Sequence, residues 1–437
     1  MLKMNWKDIY KQKLTTADEA VTHIKSGDSV IIGHAAGEPT ALLNAMVKNA
    51  DRYKGVRTFQ MVCKGEARYC QPGMEEHFRH NSLFVTASTR QAAAEDRADV
   101  TPYYFSEVPE LLRSGMPVDV ALIHVSTPDE HGYCSFGISV DYTKPAAECA
   151  KTVIAEVNPN MPRTLGDSFI HVSDIDYIVE SDDPIIELPP SKLSDVEYAI
   201  GKNCASLIHD GDTLQLGIGA IPDAVLASLK DKKDLGIHSE MVSDGVVDLV
   251  EAGVITNKRK SFMPGKSVIT FMMGTRRLYD YVDNNPAVAM FPVDFVNDPY
   301  VIAKNDNLIS INSCVEVDLQ GQVVSTSIGL KRISGVGGQV DFVRGANMSK
   351  GGKTIMAFAS TTGHGKISKI VPFINQGASV TTSIYDVNYI VTEYGIAKLR
   401  GLSLRDRAKE LIKIAHPKFR DSLAEEYERR FSIKYKP

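Results

Sequence analysis

Short apolar runs and amphipathic stretches alternate along this chain. Val30-Ile31-Ile32 and Leu214-Gln215-Leu216 each follow a Gly-Asp turn and predict short strands. Val118–His124, Thr152–Val157 and Ile355–Ala359 are apolar almost throughout, the pattern of strands buried on both faces of a parallel sheet. Helical spacing follows at Pro39–Val47 and Pro222–Leu229, with proline accepted at a helix start. Near the C-terminus, Ser403 is placed to cap a helix over Leu404–Ile414, and Pro417 to open a second amphipathic helix to about Phe431. Strands alternating with helices predict an α/β protein, with open and mostly parallel sheets. Periodicity breaks over Asp182–Ser194, at Asp182-Asp183-Pro184 and Pro189-Pro190-Ser191. The expected domains are therefore residues 1–188 and 189–437, the second closed by a helical tail.

The second half repeats the first, so the two α/β domains are expected to be homologous. Lys25–Ala35 lines up with His209–Gly219, and Pro39–Leu43 with Pro222–Leu226. Further blocks follow in the same order: Lys54–Met61 with Leu235–Met241, Asp129–Tyr133 with Asp318–Gln322, Gly137–Tyr142 with Gly337–Phe342, Lys151–Ala155 with Lys353–Ala357, and Asp174–Val179 with Asp386–Val391. What both copies share serves the scaffold; what one copy holds alone is a candidate for chemistry.

Three differences stand out. Gly33-His34-Ala35 in the first copy becomes Gly217-Ile218-Gly219 in the second. A bare turn between strand and helix lets backbone N–H groups approach an anionic ligand, although a tight turn alone would also use glycine. Phe59 becomes Glu240, a carboxylate at a strand end, where ligands of α/β sheets collect and where a nucleophile or general base is useful. Ile138 becomes Gly338, within Gly335-Val336-Gly337-Gly338-Gln339, and bared N–H groups there suit an oxyanion. Glu393, in Thr392-Glu393-Tyr394-Gly395, is a second carboxylate candidate, with a charged hydrogen-bonded turn as its plain reading. His34 reads as a buried structural histidine. Asp129-Glu130-His131 reads as a turn rather than a metal site, because the matching Asp318-Leu319-Gln320 lacks ligands. Gly265-Lys266-Ser267 looks like the end of a phosphate-binding P-loop, but Lys260 stands where that motif requires glycine.

Composition narrows the function. At 437 residues, 43% apolar, 24% charged and with a net charge of −5, the chain offers no basic run for nucleic acid or a membrane surface. No stretch has the ~20 apolar residues of a membrane span, and Met1–Lys7 has no apolar signal region. None of the six cysteines pairs as Cys-x-x-Cys or sits in a zinc pattern. The expectation is a cytoplasmic protein with reduced, buried cysteines and no zinc site of their own.

With these residues in view, the chain resembles the class I coenzyme A transferases, in their acetyl-CoA hydrolase/transferase branch, over essentially its whole length. The resemblance is carried by Leu216-Gly217-Ile218-Gly219-Ala220-Ile221-Pro222-Asp223, Gly236-Ile237-His238-Ser239-Glu240-Met241, Ser334–Arg344 and Val391-Thr392-Glu393-Tyr394-Gly395-Ile396-Ala397. It implies that Glu240 is a nucleophile forming a glutamyl-CoA thioester in ping-pong catalysis. It implies CoA binding at Gly217, Ile218, Gly219, Ala220 and Ile221 and at Gly335, Gly337 and Gly338, with Ile218 and Gly338 N–H and Asn297 as oxyanion donors. It implies a homodimer acting on acyl-CoA and short-chain carboxylates such as 4-hydroxybutyrate, butyrate and acetate. Coenzyme A enters as substrate, and no tightly bound cofactor is expected. Lys366 and Lys369 are candidates for the CoA phosphates, against a plain surface role. Three alternatives stay open: an acyl-CoA hydrolase using the same Glu240, a non-catalytic CoA or sugar-phosphate binding protein, and a sugar-phosphate isomerase using a carboxylate base.

Overall fold

Ser29–Ile32 (β1) lies in the middle of a seven-stranded sheet in a computed structural model that describes residues 5–436. The stretch Met1–Met4 read above lies outside them. The other strands are Val56–Gln60 (β2), Phe78–Ser82 (β3), Ala98–Val100 (β4), Val120–Val125 (β5), Thr152–Val157 (β6) and Tyr177–Glu180 (β7). Their order is β4-β3-β2-β1-β5-β6-β7, and every pairing is parallel. Val30, Ile31 and Ile32 are at most 1% exposed, which is why this strand reads as an unbroken apolar run. Burying each contributes about 1.5–3 kcal/mol. Helix Thr40–Lys48 (α1) follows β1 and buries Leu42, Ala45 and Met46 in the same core.

The second sheet has Thr213–Gln215 (β8), Gly236–Ile237 (β9), Leu308–Asn312 (β10), Lys353–Ala357 (β11), Tyr389–Thr392 (β12) and Gly395–Lys398 (β13). Its order is β9-β8-β10-β11-β12-β13, parallel except for the antiparallel hairpin β12–β13. Set against β2-β1-β5-β6-β7, the run β9-β8-β10-β11-β12 has the same topology, and the repeat blocks that contain strands fall on corresponding ones. The register corrects one pairing: Arg57 N–H donates to Asp28 C=O at 2.8 Å as Gly236 N–H does to Asp212 C=O at 2.9 Å, so the first-copy counterpart of Glu240 is Met61 rather than Phe59, an apolar residue in either case. Helix Ala220–Ala227 (α2) follows β8, and helix Gln339–Met348 (α3) precedes β11. The tail is Leu404–Ile414 (α4), capped by Ser403 Oγ accepting from Asp406 N–H, and Pro417–Phe431 (α5). Leu411, Ile412, Leu423 and Tyr427 of the tail pack with Met356, Ile390 and Ala397.

The chain divides into two compact units. One takes in the chain up to Pro189 together with Val268–Val296; the other takes in Pro190–Ser267 and the chain from Asn297 onward. The first break lies beside the expected boundary at 188/189. The departure is Val268–Val296, which joins the first unit by backbone hydrogen bonds such as Val140 N–H to Thr270 C=O at 3.0 Å. Among the described residues, no helix is long and apolar enough to cross a membrane.

Candidate functional site

The second unit reverses its strand order between β8 and β10, and in open α/β sheets the carboxyl ends at such a point hold ligands. Glu240 stands just beyond edge strand β9, next to β8. Leu216 and Met241 form an antiparallel bridge there, which makes Gly217 and Glu240 the next facing pair. Ser239 fixes the turn: its hydroxyl donates toward the C=O groups of Met241 (2.7 Å) and Leu216 (3.1 Å), and accepts from Leu216 N–H at 3.2 Å. Glu240 itself is half-buried.

Asn297 is fully buried, and its Nδ2 donates to Glu240 Oε2 at 2.7 Å. The same amide lies 3.5 Å from Asp341 Oδ2. Gly338 heads α3 and lies against the same carboxylate; a Cβ on it would collide with both Glu240 Oε2 and Asn297 Nδ2. The absence of a side chain is thus a requirement of close approach, and the helix N-terminus behind it favours developing negative charge. Gly337 beside it takes the left-handed conformation, at φ +53°, and Gly335 is half-buried in the same turn.

Gly217, Ile218, Gly219, Ala220 and Ile221 form an accessible turn from β8 into α2. Ile218 is 40% exposed. Gly219 caps the helix at φ +106° and ψ −177°, a region open essentially to glycine alone, and nothing lies within 4 Å of the place its Cβ would occupy. Space is open at Gly219, as approach of an anionic ligand to a helix N-terminus requires.

Other sequence candidates separate from this cluster. Glu393 has both carboxylate oxygens occupied by Ser360, from N–H at 2.8 Å and Oγ at 2.6 Å, which fits the hydrogen-bonded turn. Lys366 is exposed, whereas Lys369 is turned over the Phe358 ring, with Nζ 4.9 Å from its centroid, and burial lowers its pKa. His34 is buried with Nδ1 3.1 Å from Asp141 Oδ2. Asp129 ties its own turn by accepting from His131 and Tyr133 N–H, each at 2.9 Å. All six cysteines are free, and among the described residues no group of His, Cys, Asp and Glu is arranged to hold a metal.

Sequence reasoning missed Asp341, which is 3% exposed beside Asn297. The repeat pairs it with Asp141, and a residue kept by both copies reads as scaffold rather than chemistry.

The sequence matches the acetyl-CoA hydrolase/transferase N-terminal domain over residues 1–189 and the C-terminal domain of the same family over residues 274–427. It is 64% identical to the 4-hydroxybutyrate coenzyme A transferase of Clostridium kluyveri, over 98% of this chain and 100% of that protein. Among solved structures, a 4-hydroxybutyrate CoA-transferase from Porphyromonas gingivalis is 47% identical with a TM-score of 0.85, covering 98% of this chain and 100% of that one. RipA from Yersinia pestis is 40% identical with a TM-score of 0.94 at the same coverage.

Proposed function

Because the chain belongs to the acetyl-CoA hydrolase/transferase family, we infer that it moves CoA between a short-chain acyl-CoA and a carboxylic acid, with Glu240 as the nucleophile. The observation that carries the assignment is the Glu240 carboxylate, held at 2.7 Å by the buried Asn297 amide with side-chain-less Gly338 against the same oxygen. The 64% identity to a 4-hydroxybutyrate enzyme supports 4-hydroxybutyrate and butyrate, exchanging with acetyl-CoA, as the substrates.

The steps follow from the chemistry of a carboxylate meeting a thioester. Glu240 attacks the thioester carbonyl, the C–S bond breaks, and CoA thiolate leaves behind a mixed acyl-glutamyl anhydride. The thiolate attacks the glutamyl Cδ, releases the first carboxylate and leaves a glutamyl-CoA thioester. The acceptor carboxylate attacks the same Cδ and displaces CoA thiolate, which then takes the acceptor's acyl group and frees Glu240. This is ping-pong covalent catalysis. Each addition passes through an oxyanion, and one preorganised donor is worth about 3–4 kcal/mol. Asn297, the N-terminal end of α3 at Gly338 and the bare turn at Ile218 are the proposed donors. Exclusion of water keeps the activated acyl group for transfer rather than hydrolysis.

The experiment is acyl-CoA incubated with and without labelled acetate, butyrate or 4-hydroxybutyrate. Transfer predicts label in the new acyl-CoA, parallel-line ping-pong kinetics and slow CoA release without an acceptor. Rapid acceptor-independent CoA release would assign the protein as a hydrolase instead. We further propose a homodimer, tested by sedimentation, and a cytoplasmic setting, supported by six free cysteines, of which only Cys149 is not buried.

A further inference from the structure

An edge strand has one row of backbone groups that meets no neighbouring strand, and β9, which carries Glu240 just beyond its end, is such a strand. Its inner row pairs with the strand beside it: Gly236 N–H donates to Asp212 C=O at 2.9 Å, and His238 N–H to Leu214 C=O at 3.2 Å. Its outer row is bridged by backbone just before the strand, where Leu235 N–H donates to Val254 C=O at 2.9 Å, and is met at Ile237 by two side chains. Ile237 N–H donates to Asn257 Oδ1 at 2.8 Å, and Ile237 C=O accepts from Lys260 Nζ at 2.7 Å. One peptide unit on each side of Ile237 is therefore gripped from a single turn.

Both gripping residues are themselves held. Asn257 is 4% exposed, sits at φ +56°, and donates through Nδ2 to Ser267 Oγ at 3.0 Å. Lys260 is 5% exposed, and its Nζ also donates to Lys266 C=O at 2.6 Å. Gly236 is shaped to this lysine, because a Cβ there would collide with Lys260 Cγ. Burial alone pulls the Lys260 pKa down to about 7, and such an amine is an unfavourable choice for filling space, which an apolar side chain would do at less cost. Its retention makes sense where its directed hydrogen bond is needed. Lys260 is also the residue that excludes a P-loop ending at Ser267, so this stretch has a use other than phosphate binding.

We propose that Asn257 and Lys260 are positioning residues that clamp Ile237 and thereby set the place of Glu240 along the strand end. This rests on Glu240 being the nucleophile. Only His238 and Ser239 lie between the clamped Ile237 and Glu240, and a displacement near 1 Å at a reacting group costs roughly 100-fold in rate.

The test uses the full-length enzyme with Lys260→Met, which keeps an unbranched stem and removes the donor, and Asn257→Gly, which tolerates positive φ and removes the acceptor. Each is expected to lower kcat by about 10- to 100-fold, with acyl-CoA KM within about two-fold. Hydrogen exchange at residues 236–242 should rise by about five-fold or more, with the amides of Ile355–Ala357 unchanged. Wild-type kcat in folded Lys260→Met, or exchange rising equally throughout the second unit, overturns the proposal. If Lys260→Met does not fold, Asn257→Gly carries the same readings, and Lys260→Arg, which keeps N–H donors, is expected to retain more activity than Asn257→Gly. Failure of the nucleophile assignment shows separately, as full activity in Glu240→Ala, and leaves the exchange result standing as a test of the clamp.

Discussion

Asn297 Nδ2 lies 2.7 Å from Glu240 Oε2, a pairing made across 57 residues of chain. An amide fixed in a fully buried position aims one carboxylate oxygen and is placed to donate to charge that develops beside it. Asn297→Ala should lower kcat by about 10²- to 10³-fold with a smaller change in acyl-CoA KM. Steady-state kinetics, with a thermal melt to verify folding, measure this.

Gly338 has no room for a methyl group, since a Cβ would strike the Glu240 carboxylate and the Asn297 amide together. Its φ of −92° is one alanine adopts freely, so the obstacle is steric and confined to the site. Gly338→Ala should fold, melt within a few degrees of wild type, and lose at least about 100-fold in kcat. An active Gly338→Ala enzyme would remove this loop from the chemistry.

Glu240→Asp keeps the charge and withdraws it by one methylene from Asn297. The attacking oxygen is then misplaced, and activity should fall by roughly 100-fold or more. Single-turnover CoA release is the measurement, because it isolates the first attack.

Glu156 gives a pH-dependent test in the first unit. It is 0% exposed, and Oε2 accepts from Ala41 N–H at 2.9 Å and Leu42 N–H at 3.4 Å in the first turn of α1. Burial pushes its pKa up to about 7 from 4.5, against those hydrogen bonds. The folded state thus holds the proton more tightly than the unfolded chain. The resulting stability is fully present below the unfolded value and is lost as pH rises through about 7. Glu156→Gln should flatten this slope and, above that pH, be the more stable protein by on the order of 1–3 kcal/mol. Urea unfolding of both proteins at about pH 5 and about pH 8 tests the sign.

Locally encoded features were legible in the sequence. Ser403 and Pro417 mark the two tail helices because caps and first-turn prolines act within one turn, and Leu404–Ile414 and Pro417–Phe431 form as the spacing predicts. Thr152–Val157 is a strand with the predicted bounds, since burial on both faces leaves a continuous apolar run. Two predicted helix starts were displaced: α1 begins at Thr40 with Pro39 as its N-cap, and α2 begins at Ala220 rather than Pro222, because Gly219 can take the φ of +106° that starts the turn earlier. Glu240 and Gly338 were visible because a duplicated fold supplies its own control, and the two residues do meet. The return of Val268–Val296 to the first unit was not legible, nor were the roles of Asp341, Asn257 and Lys260. These depend on contacts between segments far apart in sequence, which no local period encodes.

Covalent carriage of CoA by Glu240 is read out by intact-protein mass spectrometry after mixing with acyl-CoA. The expected result is a CoA-sized adduct that maps to the peptide containing Glu240, disappears on addition of acceptor carboxylate and never forms in Glu240→Ala. An adduct retained in Glu240→Ala, or a fully active Glu240→Ala enzyme, would contradict it.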